Sequence, residues 1–288
     1  MTFVIGIGFL GVLTLVLTTL IIVANKKLAV SEDPRIDQVE ELLPGVNCGA
    51  CGQAGCRAFA EALVKNVAKP GECTVSNAQA KQHIAQFLGV DVGETTKRVA
   101  RLACNGGSNV ARVNAHYFGE KTCNAATLIG GGGKACSWGC LGYGDCQRAC
   151  QFDAIHMNAH GLPVVDESQC TACGDCVTVC PKDLFSIHPV THHLWVRCKN
   201  QQSGDEILQN CEVACTACGR CAMDAADNTI TMQNNLPIID YNLAILDPIA
   251  IQRCPTGAIV WLESDGTVVE GKESKAVIRQ TPLLAMPS

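Results

Sequence analysis

Cys170, Cys173, Cys176 and Cys180 follow the spacing Cys-x2-Cys-x2-Cys-x3-Cys, and Pro181 comes directly after the last of them. Three thiolates this close can take three corners of an iron–sulfur cube, and the fourth cysteine of such a run is aimed at a second cube nearby. A segment built this way folds around inorganic cores. Sixteen of the twenty cysteines fall in runs that suit such cores. The chain is 48% hydrophobic but only 5% aromatic, as suits a fold in which clusters replace much of an aromatic core. Zinc is the first alternative, but structural zinc sites use two separated Cys-x2-4-Cys knuckles. Disulfides are the second; they need an oxidising compartment and do not favour such tight clustering.

The nearest triplet upstream is Cys136, Cys140 and Cys146, followed by Cys150. Reciprocal exchange of the fourth ligands then predicts one set of Cys136, Cys140, Cys146 and Cys180, and another of Cys170, Cys173, Cys176 and Cys150. That is the layout of a two-cluster ferredoxin module. An offset of 75 takes Cys123, Cys136, Cys140 and Cys146 onto Cys198, Cys211, Cys215 and Cys221, and an offset of 74 takes Leu162–Asp166 onto Leu236–Asp240. The module is therefore present twice. In the second copy Ala225, Ala244, Asp247 and Ala250 stand where Cys150, Cys170, Cys173 and Cys176 stand in the first, while Cys254 still matches Cys180. All four losses belong to one cluster, so the second copy is predicted to keep a single set, Cys215, Cys218, Cys221 and Cys254. Leu243, Ile245, Ile249 and Ile251 are the side chains expected to fill the vacated site.

Cys48, Cys51, Cys56 and Cys73 form a separate set, with Gly49, Gly52 and Gly55 allowing tight turns around a cluster. The periodicity predicts a helix over Arg57–Lys69 with Phe59, Leu63, Val64 and Val67 on one face, ended by Pro70-Gly71. A second helix is predicted over Ala78–Leu88, capped by Asn77 and stopped by Gly89. Cys104, Cys123, Cys198 and Cys211 are left over, the number a fifth cluster needs. Burial as small apolar groups is the other reading. Cys211 also aligns with Cys136 and could replace Cys218 as a ligand.

Thr2–Ala24 carries no charge and is followed by Asn25-Lys26-Lys27. The stretch is long enough to cross a bilayer, and it lacks the basic leader and short apolar core of a cleaved signal. The lysines after the span predict that the cysteine-rich remainder lies in the cytoplasm, where thiols stay reduced. The span holds no ionisable residue, so it anchors without providing an ion route.

Other signals are weak. Gly130–Gly133 with Lys134 lacks the earlier glycine and the hydroxyl residue of a P-loop, and no Gly-x-Gly-x-x-Gly opens a helix after a strand. This chain alone is therefore not expected to turn over NADH. A net charge of -5 disfavours nucleic-acid partners. Lys97, Arg98, Arg101 and Arg112 read as a solvated face or a weak docking patch, and the seven histidines, His192 and His193 among them, as surface polar residues.

These features predict an α+β chain. An N-terminal transmembrane helix (1–25) precedes a small helical 4Fe-4S domain (30–90) and a connecting segment (91–134). Two bacterial-ferredoxin-like modules of small antiparallel strands and short helices come next (135–190 and 191–262), then a tail (263–288). The span, the run Leu43–Cys56 and the two modules closely resemble the B subunit of the Rnf complex, the membrane-bound ion-translocating NADH:ferredoxin oxidoreductase. The segment Gly139–Cys146 resembles the longer form of that protein, whose ferredoxin region is duplicated. The resemblance implies an electron-transfer subunit of a translocase in the bacterial cytoplasmic membrane, carrying four or five 4Fe-4S clusters. Its partners would be the other subunits of the complex and a soluble ferredoxin or flavodoxin. A membrane-tethered polyferredoxin serving another reductase, without ion coupling, is the alternative.

Overall fold

The computed structural model describes residues 2–28, 33–94, 96–226, 228–243, 247–263 and 265–283. Helix α1 (Thr2–Leu28) contains an apolar stretch, Gly6–Lys27, of mean hydropathy 2.6 that is long enough to cross a membrane. Its described side chains face outward. The hydroxyls of Thr14, Thr18 and Thr19 donate to the carbonyls four residues back, so the helix satisfies its own polar groups as a lipid environment demands.

Helices α2 (Arg35–Leu42), α3 (Cys56–Val64) and α4 (Ala78–Leu88) enclose a small core of Ile36, Val39, Phe59, Leu63 and Ile84. Helix α4 has the bounds its sequence predicts: the Asn77 side chain accepts from the Ala80 N–H at 2.8 Å, and Gly89 closes the helix in the left-handed region. Helix α3 ends earlier than predicted, at Val64. Asn66 adopts a φ of 60°, and the Val67 and Asn66 N–H groups close back on Ala62 and Leu63. This is a Schellman ending with asparagine in the usual glycine place. Val67 consequently points to solvent, 77% exposed.

The repeat is visible in the strands. In the first copy β1 (Arg98–Leu102) pairs antiparallel with β4 (Phe185–Pro189), around a hairpin of β2 (Ile155–Met157) and β3 (Pro163–Val165). In the second, β5 (Leu194–Val196) pairs with β8 (Ile259–Leu262), which also takes β9 (Val268–Val269), around a hairpin of β6 (Ile230–Gln233) and β7 (Leu236–Ile239). The hairpin registers correspond, Met157 opposite Pro163 and Met232 opposite Pro237. Three five-residue helices, α6 (Asp145–Ala149), α7 (Asp175–Val179) and α8 (Arg220–Asp224), each start after a left-handed glycine.

Several expectations change. The segment predicted as a connector supplies β1, the short helix α5 (Cys123–Leu128) and two cysteines to the repeats. The predicted tail runs back over both copies: the Leu283 N–H donates to the Ser108 carbonyl of the first at 2.7 Å, and Arg279 pairs with Glu212 of the second at 2.9 Å. Of the residues expected to fill the vacated site, Ile251 is fully buried together with Ala250, whereas Leu243 and Ile249 are exposed. The turn Pro248–Ile251, capped by the Asp247 side chain, aims Ile249 outward. Ala244 and Ile245 lie outside the described residues. Arg101 is not a free surface cation: it is buried in an ion pair with Glu167. His188 and His192 are half-buried rather than surface residues, their rings packed with Trp195 and Tyr241, and His193 stacks on Trp261.

Candidate iron–sulfur sites

Each of the helices α6, α7 and α8 carries a cysteine at its second position (Cys146, Cys176, Cys221), and the residues just past their ends are Cys150, Cys180 and Ala225. The loops before α7 and α8 share the sequence Cys-Thr-Ala-Cys-Gly, and in both the alanine takes the left-handed conformation, Ala172 and Ala217 at a φ of 58°. Loop and helix thus wrap three thiols around one concavity. Helices α6 and α7 pack against each other, which lets each end cysteine cross to its neighbour's side.

Four of the resulting cavities are each lined by four cysteines. Cys150, Cys170, Cys173 and Cys176 line one of about 320 Å³. Cys215, Cys218, Cys221 and Cys254 line another of about 360 Å³. A third, of about 370 Å³, is lined by Cys123, Cys140, Cys146 and Cys180. Cys136, expected here, is absent from that wall. Cys123 takes its place because the Thr122 side chain caps α5 and the Asn124 N–H donates to the buried Asp145 carboxylate at 3.2 Å, tying α5 to α6. Cys136 instead lines a fourth cavity, of about 330 Å³, with Cys104, Cys198 and Cys211. Cys211 lies in this wall, and Cys218 lies with Cys215, Cys221 and Cys254. The regrouping escaped sequence reading; its visible trace is that Cys104 and Cys198 both come two residues after a strand.

The remaining set lies between α2 and α4 of the helical domain, on either side of and at the start of α3. The N–H of Cys56 donates to the Asn47 side chain at 2.7 Å, and the Ser76 hydroxyl donates to the Cys73 sulfur at 3.2 Å. Cys48 and Cys73 are charge neighbours of Cys51. Gly49 and Gly52 are left-handed, as turns here require. Gly55 has a different reason: a Cβ there would come within 2.8 Å of Asn47 Oδ1.

The thiols surround space rather than converge. Among the described residues no three His, Cys, Asp or Glu side chains are placed to hold a single metal ion, which a zinc site with Zn–S distances of about 2.3 Å would require. Four thiols lining one shared concavity suit a cube of iron and sulfide. Backbone donors face the sulfurs: Ala100 N–H reaches Cys170 at 3.4 Å, and Leu184 N–H reaches Cys180 at 3.5 Å. Such bonds favour the thiolate and tune a bound cluster. Burial, reinforced by neighbouring cysteines, pushes the Cys140 and Cys176 thiols up to about 12 and those of Cys146 and Cys221 to about 11. Cluster binding must therefore expel protons that these thiols otherwise hold at neutral pH. The glycine run before Lys134 is a left-handed loop, and the Lys134 ammonium donates to the carbonyls of Gly106 and Cys140 at 2.6 and 2.5 Å.

Known proteins match on the same residues. The family model described as "Putative Fe-S cluster" covers residues 43–75, and the one described as "4Fe-4S binding domain" covers 162–185. The chain is 37% identical to the B subunit of the Na+-translocating ferredoxin:NAD+ oxidoreductase complex of Acetobacterium woodii, over 94% of this chain and 80% of the relative. It is 34% identical to the B subunit of the proton-translocating ferredoxin:NAD+ oxidoreductase complex of Clostridium ljungdahlii (88% and 90%). It is 33% identical to the B subunit of the ion-translocating oxidoreductase complex of Methanosarcina acetivorans (88% and 94%). With likeness of this degree over 80 to 94% of each relative, the chain belongs to the family of B subunits of the ion-translocating oxidoreductase complexes.

Proposed function

We propose that this chain is the electron relay between a soluble ferredoxin or flavodoxin and the membrane subunits of an ion-translocating complex. Four sets of cysteines would hold 4Fe-4S clusters, which supply one-electron storage when bound: Cys48, Cys51, Cys56 and Cys73; Cys123, Cys140, Cys146 and Cys180; Cys150, Cys170, Cys173 and Cys176; and Cys215, Cys218, Cys221 and Cys254. The observation that carries this reading is the crossing of Cys150 and Cys180 between two packed helices, which sets two four-thiol cavities side by side. Neighbouring one-electron sites with protein walls between them suit a relay. Among the described residues Cys218 is the one exposed cysteine, and it brings its set close to the surface from which a soluble carrier would deliver electrons.

The domain with Cys48 and Cys73 comes soonest after α1, so it is placed as the exit toward the membrane subunits. The chain crosses the membrane once, with the cysteine domains on the cytoplasmic side, a reading supported by Lys26 and Lys27 in the last turn of α1. NADH and flavin chemistry are left to the partner proteins of the complex. We place the helical domain near 30–90 and the two copies near 97–190 and 191–262, a division that the pairing of β1 with β4 and of β5 with β8 supports for the copies.

The test is anaerobic purification of the full chain in detergent, with iron and sulfide assay and rapid mixing with reduced ferredoxin. At least about sixteen iron atoms per chain, from four-thiolate sites, and fast reduction by ferredoxin without NADH oxidation are expected. Eight or fewer iron atoms in reconstituted protein, or NADH oxidation by the isolated chain, would overturn the reading.

A further inference from the structure

The fourth cavity differs from the others in its origin: Cys104 and Cys136 come from the first copy, Cys198 and Cys211 from the second. The two halves mirror each other. Cys104 follows β1, and its sulfur accepts the N–H groups of Gly106 and Cys140, each at 3.4 Å. Cys198 follows β5, and its sulfur accepts the N–H groups of Asn200 and Cys215, each at 3.4 Å. Cys140 and Cys215 are themselves members of the two flanking sets. The other pair, Cys136 and Cys211, correspond through the repeat offset. An antiparallel bridge between Ala111 and Cys211, with the Arg112 N–H on the Asn210 carbonyl at 2.9 Å, holds the halves together.

The site also has the dimensions of its neighbours. Its volume of about 330 Å³ lies within the range of about 320 to 370 Å³ set by the other three cavities. Gly106 forms part of the wall: a Cβ there would stand 3.1 Å from the Cys211 sulfur and 3.7 Å from the Cys104 sulfur, so a sulfur from each copy faces the same point. Two reciprocal pairs of thiols, paired backbone donors on the sulfurs and a glycine wall are more than four small apolar residues need for packing.

We propose that Cys104, Cys136, Cys198 and Cys211 bind a fifth 4Fe-4S cluster, shared by the two copies on a local pseudo-two-fold axis. It rests on the relay reading and deepens it. The shared site touches the Cys123, Cys140, Cys146 and Cys180 set through the Cys140 backbone, and the Cys215, Cys218, Cys221 and Cys254 set through the Cys215 backbone. It is thus the link that carries electrons from one copy to the other.

The experiment uses the full chain, reconstituted anaerobically with iron and sulfide, in wild-type form and as Cys104→Ser, Cys211→Ser and the double variant. Iron, sulfide and zinc are measured, and EPR spectra of the reduced proteins are compared. The wild type is expected to hold about twenty iron atoms, from five four-thiolate sites. Each single variant should lose about four and the same EPR component, and the double variant should lose no more than either single. A double variant that loses about eight would place Cys104 and Cys211 in separate sites and overturn the proposal. So would zinc in the shared site, or about sixteen iron atoms in the wild type, a count that needs no variant to fold. A wild-type total of sixteen leaves the relay reading standing; eight or fewer removes both.

Discussion

Cys150 and Cys180 sit in equivalent places, each just past the end of a five-residue helix, yet each lines the cavity of the other helix's triplet. Neither cavity is complete without the packing of α6 on α7. Serine at either position should remove about four iron atoms and a different EPR component in each case. Loss of the same component from both variants would contradict the crossing.

The exchange of Cys123 for Cys136 gives a sharper test of the local fold. Cys123→Ser should delete the same EPR component as Cys180→Ser, and Cys136→Ser should leave that component in place. If Cys136→Ser removes it instead, the tie between the Asn124 N–H and Asp145 does not set the ligand in the assembled protein.

In the helical domain, Asn77→Ala removes an N-cap hydrogen bond of 2.8 Å. A loss of about 1 kcal/mol in local stability is expected, read as faster hydrogen exchange of the α4 amides with no change in iron content. Exchange that is unchanged in α4 would mean the cap carries no weight.

His188 gives a pH dependence of known sign. Burial, then the neighbouring His192 ring with its Nδ1 at 3.2 Å, holds the His188 imidazole down at about 4, well below its ordinary 6.5. The unfolded chain binds the extra proton between those values and the folded chain does not, so stability falls as pH drops from about 6.5 to about 4. Because the ring is only half-buried, the effect is on the order of 1 kcal/mol after solvent screening. His188→Gln should be less stable at pH 7 yet lose less than the wild type between pH 7 and pH 5. Equal losses in denaturant midpoint would assign the acid sensitivity elsewhere.

The order of the relay is checked by Cys51→Ala. Ferredoxin should still reduce the clusters of the two copies quickly, while electron delivery to the rest of the complex stops. Full turnover in a normally assembled complex would move the exit away from the helical domain.

Much of this was legible in the residues. The Asn77 cap, the Gly89 stop and the hairpin repeat of Ile155–Val165 in Ile230–Ile239 follow from local rules that tertiary contacts do not override. The ligand partition was not. A constant offset aligned Cys198 with Cys123, because α5 and its glycine loop lie between Cys104 and Cys136 and have no counterpart in the shorter stretch from Cys198 to Cys211. The strand ends before Cys104 and Cys198 are the equivalent points, and they emerge only once β1 and β5 are paired. His188 was misread for a related reason: the Trp195 and Tyr241 rings that cover it come from the other copy.

The wall between the copies also sets a timetable for synthesis. The thiols of Cys48 to Cys73 leave the ribosome within one short stretch and can be metallated early. The cavity bounded by Cys104 and Cys211 has no second half until the later copy has been made, and the strap from Arg279 to Leu283 closes over Ser108 and Asn109 only after both copies have been made. The wall between the two copies is therefore assembled after the helical domain, in the order in which the residues emerge.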